Sequence, residues 1–141
     1  MAIKQDLKLK SIKKPSRSLL VKKLDTEFSI YIRNRFAVDG ISTCFTCGKE
    51  DNWRSLQCGH FMSRKHYSTR WDENNCQVQC VGCNVYRYGE QYIFGNNLDK
   101  VYGIGSAESL STTARQICKI KDFELQDKID YYKILNKNLH I

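Results

Sequence analysis

CFTCGKEDNWRSLQCGHFMSRKHYSTRWDENNCQVQCVGCN, residues 44–84, holds two Cys-x-x-Cys pairs, Cys44/Cys47 and Cys80/Cys83, about 33 residues apart. That is the spacing of one tetrahedral zinc site built from two knuckles. Four thiolates satisfy Zn²⁺ completely, so the pattern predicts a closed structural site, and in a small domain such an ion supplies much of the folding free energy. Cys58 and Cys76 fall inside the span without a partner at knuckle spacing. Like Cys118, they read as small buried side chains. Between the pairs lies a Gly-His step, Gly59-His60, and the second pair closes directly onto Asn84.

Composition sets the outer bounds. A chain of 141 residues fits one domain with a modest core. Lysine and arginine number 23 against 15 acids, a formal charge of +8. The expected partner is therefore polyanionic, with nucleic acid ahead of an anionic membrane surface. No run of 18 apolar residues exists, so no membrane span is expected. The basic N-terminus lacks the apolar stretch of a secretory signal, which points to the cytoplasm. In that reducing compartment seven cysteines imply metal rather than disulfides. No βαβ pattern surrounds either pair, which argues against a redox role.

Moving outward, residues 1–17 form a basic segment that includes Lys13, Lys14 and Arg17 and ends near Pro15. It reads as a flexible arm that lies along phosphates. Residues 18–141 are expected to make a single domain, with the zinc core at about 41–95 and a helical part over 106–140. Apolar periodicity predicts a helix over 18–38, with Leu20, Leu24, Phe28 and Tyr31 on its stripe, Ser16 or Ser18 as its cap and Asp39-Gly40 as its stop. Its other face shows Lys22, Lys23, Arg33 and Arg35, which extend one basic surface. Trp53 to Met62 suggests two short strands with Gly59 at the bend. The cluster Arg64, Lys65, His66 and Arg70, interleaved with Tyr67 and Trp71, suits phosphate contact and base stacking. A helix is expected from Asn84, shortened or broken by Gly89 and Gly95. Ser106 is a plausible cap for the next one. Leu125, Ile129, Tyr132, Leu135 and Leu139 make the stripe of a last helix over 121–138, which either packs on the first or dimerises.

Three residues carry the expected chemistry. A neutral His60 can take a proton from water as it attacks a phosphodiester. A divalent metal must then stabilise charge on the phosphate and the leaving oxygen. Asn84 can offer its amide oxygen to Mg²⁺ or Mn²⁺, which prefer hard ligands. Asn75, in the loop before the second knuckle, can hold the hairpin and so His60.

The order Cys-x-x-Cys, Gly-His, Asn75-x-Gln77, Cys-x-x-Cys-Asn resembles the ββα-metal, or HNH, nuclease motif in the arrangement found in phage endonuclease VII. The segments FSIYIRNRF (28–36), CFTCG (44–48), QCGHFMSR (57–64) and NNCQVQCVGCNVYRYGE (74–90) are similar more specifically to the phage NinG (Rap) recombination proteins. The resemblance implies an α+β fold in which N- and C-terminal helices flank a zinc-stapled ββα-metal core. It also implies a structure-specific endonuclease for branched DNA such as Holliday junctions and D-loops, working in the host cytoplasm. Symmetric cutting of a junction would need two active sites, so a homodimer is one candidate partner arrangement and recombination proteins are another. Many HNH nucleases carry an Asp directly before the His, and Gly59 stands there instead. His66 and Glu90, and less so Asp72 or Glu73, are the candidates to complete a catalytic-metal site with Asn84. The alternative is a non-catalytic zinc module that binds DNA or assists recombination.

Overall fold

The computed structural model describes residues 13–139. Helix α1 (Arg17–Asn34) starts where Ser16 accepts the backbone N–H of Leu19 at 3.3 Å, a side-chain N-cap. Leu20, Leu24, Phe28 and Ile32 bury one face of it. The helix ends at Asn34, four residues short of the expected end. Val38 and Ile41 exchange two backbone hydrogen bonds across Asp39-Gly40, both with positive φ. That is a tight Asp-Gly hairpin turn, and its extended flanks cannot stay helical.

Strand β1 (Ile41–Thr43) pairs antiparallel with β2 (Glu50–Asn52), and the first Cys-x-x-Cys fills the turn between them. Strand β3 (Gln57–His60) pairs antiparallel with β4 (Cys76–Gln79), with Gly59 opposite Gln77 and His60 opposite Cys76. Residues 53–62 therefore do not fold back on themselves. Trp53–Ser55 is a 3₁₀ turn, and Gly59 lies within β3 instead of at a bend. The short helix α2 (Tyr67–Arg70) lies between the paired strands. After β4 the second Cys-x-x-Cys enters a π-helical turn, Gly82–Tyr86. The chain then breaks at Tyr88, Gly89 and Glu90, all with positive φ, before α3 (Gln91–Tyr102). Gly95 does not interrupt α3. Helices α4 (Ser106–Ala114) and α5 (Asp122–Leu139) complete the chain. Gly105, rather than Ser106, holds the N-cap position of α4.

The result is a small α+β protein with, among the described residues, two separate two-stranded sheets. Three apolar clusters hold it. In the largest, Leu125, Ile129 and Tyr132 of α5 cover the buried face of α1, with Trp71 and Cys76 beneath. The last helix thus packs on the first. Burying a Leu or Phe side chain contributes about 1.5–3 kcal/mol. The second cluster is Cys44, Leu56, Cys80 and Cys83, and the third is Phe94, Leu98 and Leu110.

Gly59 owes its identity to close approach. A Cβ there would stand 1.9 Å from Oε1 and 2.6 Å from Cδ of the fully buried Gln79. Gly59→Ala should cost about 1–3 kcal/mol by overpacking, read as a lower urea midpoint. The penalty should shrink in a Gln79→Ala background. An equal penalty in both backgrounds would rule out this contact as the cause.

Candidate functional site

The four knuckle sulfurs lie within 4.8 Å of one another, with Cys47 and Cys80 Sγ 3.6 Å apart, so these cysteines could hold a zinc ion. The backbone builds the pocket. Gly48 donates to the Cys44 carbonyl with φ 79°, and Cys44 donates to the Lys49 carbonyl. The Phe45 amide donates to Val78 of β4, which brings the first knuckle to the second. Burial opposes ionisation of Cys44, but hydrogen bonds from Thr46 and from nearby backbone amides outweigh it and bring the thiol down to about 6. Arg87 Nη2 donates to Cys83 Sγ at 2.9 Å. At Cys47 a backbone hydrogen bond at Lys49 favours the thiolate, yet burial and the three neighbouring sulfurs prevail and push the thiol up to about 12. Four crowded sulfurs shed their protons together only when a cation replaces them.

Beside this cluster is an open cleft of ≈ 760 Å³. Its walls include Asp25 and Arg33 of α1, Gln57, Cys58 and His60 of β3, and Arg64, Asn84 and Tyr88. His60 Nε2 is 3.1 Å from the Arg70 carbonyl oxygen. A carbonyl only accepts, so Nε2 carries the hydrogen and Nδ1 keeps the lone pair. Burial pushes the His60 pKa below its ordinary 6.5 and prevails over the Arg70 hydrogen bond, which acts the other way. At neutral pH the ring is therefore uncharged, with Nδ1 basic. Asn84, in the π-helical turn, donates its amide nitrogen to Gln57 Oε1 at 2.8 Å, which leaves its carbonyl oxygen for a cation.

Asn75 does not line this cleft. It is fully buried, accepts from the Met62 amide at 2.8 Å and donates to the Met62 and Thr69 carbonyls at 3.1 and 3.0 Å. It fixes the exit of β3, so its part is positioning.

The candidates for completing a catalytic-metal site are not among the cleft walls that include Asn84. Glu90 has a left-handed backbone at φ 49° and pairs with Arg87 at 2.8 Å. His66 stands at the start of α2 and is absent from the cleft walls. Asp72 caps the amides of Asn74 and Asn75, and Glu73 accepts from Tyr132. The carboxylate in the cleft is Asp25, which the sequence reading did not single out. Its only signal is a charge next to the buried Leu24. Asp25 accepts two hydrogen bonds from the Arg70 guanidinium, at 2.6 and 3.1 Å, and one from Trp71 at 2.9 Å.

The basic residues divide into two groups. Lys13, Lys14, Lys22, Lys23, Arg64 and Lys65 are exposed. Arg70 is held by Asp25 and by the Arg64 carbonyl, so it braces the fold and is not a free phosphate contact. Arg17 opens α1 and pairs with Asp122 at 2.9 Å, so the arm proposed for residues 1–17 ends one residue inside a helix. Residues 1–12 of that arm lie outside the described residues. Arg35 is turned inward onto the Cys76 carbonyl and Gln77, not outward with Lys22 and Lys23. Arg33 stacks on Trp53 yet still faces the cleft.

A family model described as bacteriophage lambda NinG protein matches residues 2–141. The chain belongs to the NinG family. No curated protein and no solved structure matches. Among the described residues no helix is long and apolar enough to cross a membrane.

Two outcomes are expected of this NinG-family site. A zinc chelator should unfold the segment that joins β1–β2 to β4, read as loss of amide protection around Cys44 and Cys80. Protection unchanged by chelation would show that the sulfurs hold no structural ion. In an NMR titration His60 should protonate with a midpoint below 6.5. A folded-state pKa below the unfolded one means its contribution to stability is full above about pH 6.5 and is lost as pH falls through the folded value. A midpoint at or above 6.5 would contradict the buried, neutral ring.

Proposed function

We propose that this protein is a metal-dependent endonuclease that cleaves branched DNA intermediates such as Holliday junctions and D-loops. The observation that carries the reading is a neutral imidazole, its tautomer fixed by a backbone carbonyl, in one cleft with the Asn84 amide oxygen and two arginines. Nδ1 of His60 takes the proton of an attacking water. Arg33 and Arg64 draw the phosphodiester into the cleft. Lys22, Lys23 and Lys65, with Lys13 and Lys14, hold the flanking backbone. The π-turn and the zinc knuckle keep Asn84 in place, and Asn75 keeps β3 in place.

A hard cation fits this cleft only in part. Its one carboxylate, Asp25, is already matched by Arg70. Mg²⁺ or Mn²⁺ would therefore be held by Asn84 Oδ1 together with water and the phosphate of the substrate, a common arrangement for Mg²⁺. When bound, such an ion supplies charge stabilisation at the phosphate and the leaving oxygen. That shortage of carboxylates is what favours the second reading, a zinc module that binds branched DNA without cutting it.

Preference for branches has its own support. Tyr86, Tyr88 and Tyr92 are 75%, 88% and 83% exposed, and Tyr88 borders the cleft. Free aromatic faces stack on exposed base faces, which an open branch point offers and a continuous duplex keeps stacked. The place of action is the host cytoplasm, and a junction cut symmetrically needs two copies.

The test uses a synthetic four-way junction and a linear duplex with Mg²⁺ or Mn²⁺. Wild-type protein should nick the junction. His60→Ala should lower the rate about 10²–10⁴-fold, the usual contribution of a general base, with junction affinity nearly unchanged. Asn84→Ala should raise the metal concentration needed for half-maximal cutting. Tight junction binding without any nick by wild-type protein would leave the binding module as the function.

A further inference from the structure

Two cysteines between the knuckles play no part in either the zinc cluster or the proposed chemistry. Cys58 stands two residues before His60 on β3, on the same face of the strand, and Cys76 stands opposite His60 on β4. The two sulfurs and a ring nitrogen of His60 all lie within 4.8 Å of one another. The four knuckle sulfurs show the same proximity. Both residues are free thiols. Cys58 and His60 line the cleft, whereas Cys76 is fully buried behind them. Strand pairing fixes the three Cα positions, and a bound ion would draw the three donors in to tetrahedral Zn–S distances of about 2.3 Å and Zn–N distances of about 2.0–2.1 Å.

We propose that Cys58, His60 and Cys76 form a second metal site, selective for a thiophilic divalent cation such as Zn²⁺ or Cd²⁺, with its fourth position open to the cleft. Binding releases the two thiol protons, and two thiolates neutralise the ion, so the filled site adds no net charge to a half-buried place. Mg²⁺ and Mn²⁺ prefer oxygen and do not compete for sulfur. Two thiolates and an imidazole with a fourth position free is a donor set that zinc accepts.

The site has a consequence for His60 that rests on the endonuclease reading. A metal on Nδ1 occupies the lone pair that would take the proton. A metal on Nε2 displaces the bond to the Arg70 carbonyl and moves the ring hydrogen to Nδ1. Either way the ring loses its basic nitrogen. Thiophilic metal thus switches off the proposed base, whereas the knuckle ion leaves it alone.

Full-length protein, kept reduced with a phosphine and loaded with Cd²⁺, tests the site. Wild type should take up two ions per chain and give two ¹¹³Cd resonances, one from four sulfurs and one from a mixed sulfur–nitrogen shell. Cys58→Ser, a change at the half-buried member, should keep the four-sulfur signal and lose the mixed one. A single four-sulfur signal at one ion per chain in wild type overturns the site, whatever the variant does. Loss of both signals in a folded Cys58→Ser protein overturns it too, because Cys58 would then serve the knuckles. In the junction assay added Zn²⁺ should slow wild-type cutting about 100-fold or more relative to the same protein without it, the scale of a lost general base. Cys58→Ser should show no such slowing, and equal slowing in both proteins overturns the coupling to His60. No cutting by wild type without added Zn²⁺ removes the endonuclease reading and leaves the metal count to decide the site.

Discussion

The carbonyl oxygen of Arg70 accepts from His60 Nε2 at 3.1 Å and from Cys76 Sγ at 3.4 Å, while the guanidinium of the same residue grips Asp25 with two hydrogen bonds. One residue thereby ties helix α1 to both strands of the β3–β4 pair. The histidine tautomer follows from the carbonyl, the carbonyl's place follows from α2, and α2 is held to α1 by the Asp25–Arg70–Trp71 contacts. The Arg70 and Asp25 side chains are 15% and 24% exposed, so this pair is largely withdrawn from water. Removing one partner of such a pair typically costs about 3–5 kcal/mol, because the other charge is left buried. Asp25 therefore acts on His60 at one remove, through a backbone atom, and disturbing it would loosen the ring without touching it.

The knuckle cysteines do for the other half of the molecule what α5 does for α1. Strands β1 and β2 are three residues each and bury little. A two-stranded pair is marginal by itself, and a zinc ion held by the four sulfurs would replace the apolar area it lacks. Cys83 belongs to that crosslink and Asn84 follows it, so any structural ion also fixes the amide oxygen in the cleft. The cysteine cluster and the cleft share a turn.

Much of this was legible in the sequence, and the failures have physical causes. Paired cysteines and helix stripes are local, periodic signals, and they located the knuckles, α1 and α5 to within a few residues. The end of α1 was misplaced because Asp39-Gly40 works as a hairpin turn, not simply as a helix stop. Gly59 was read as a bend because composition cannot distinguish a glycine that turns from one that makes room for Gln79. The free or engaged state of arginines was least legible. Arg35, Arg64 and Arg70 look alike in a basic run, and only their long-range partners separate Arg64 on the cleft wall from two that brace the fold. Asp25 was missed for the same reason, since its partners lie 45 and 46 residues away in the chain. Family membership rests on the whole chain, whereas the reading of the cleft rests on a few of its atoms.

The pairing of the first and last helices also bears on the order in which the protein is made. Asn136 donates to the backbone and carboxylate of Glu27, 109 residues earlier, and Leu125, Ile129 and Tyr132 are the lid on α1. At about 5–20 residues per second of synthesis, the apolar side of α1 waits roughly 5–20 s for its cover. The knuckles need no such wait, since both Cys-x-x-Cys pairs leave the ribosome well before α5. The half that carries the knuckles can thus be native while α1 still shows Leu20, Leu24, Phe28 and Ile32 to whatever surrounds the nascent chain. That interval, more than the finished structure, is where the protein is exposed to misassembly.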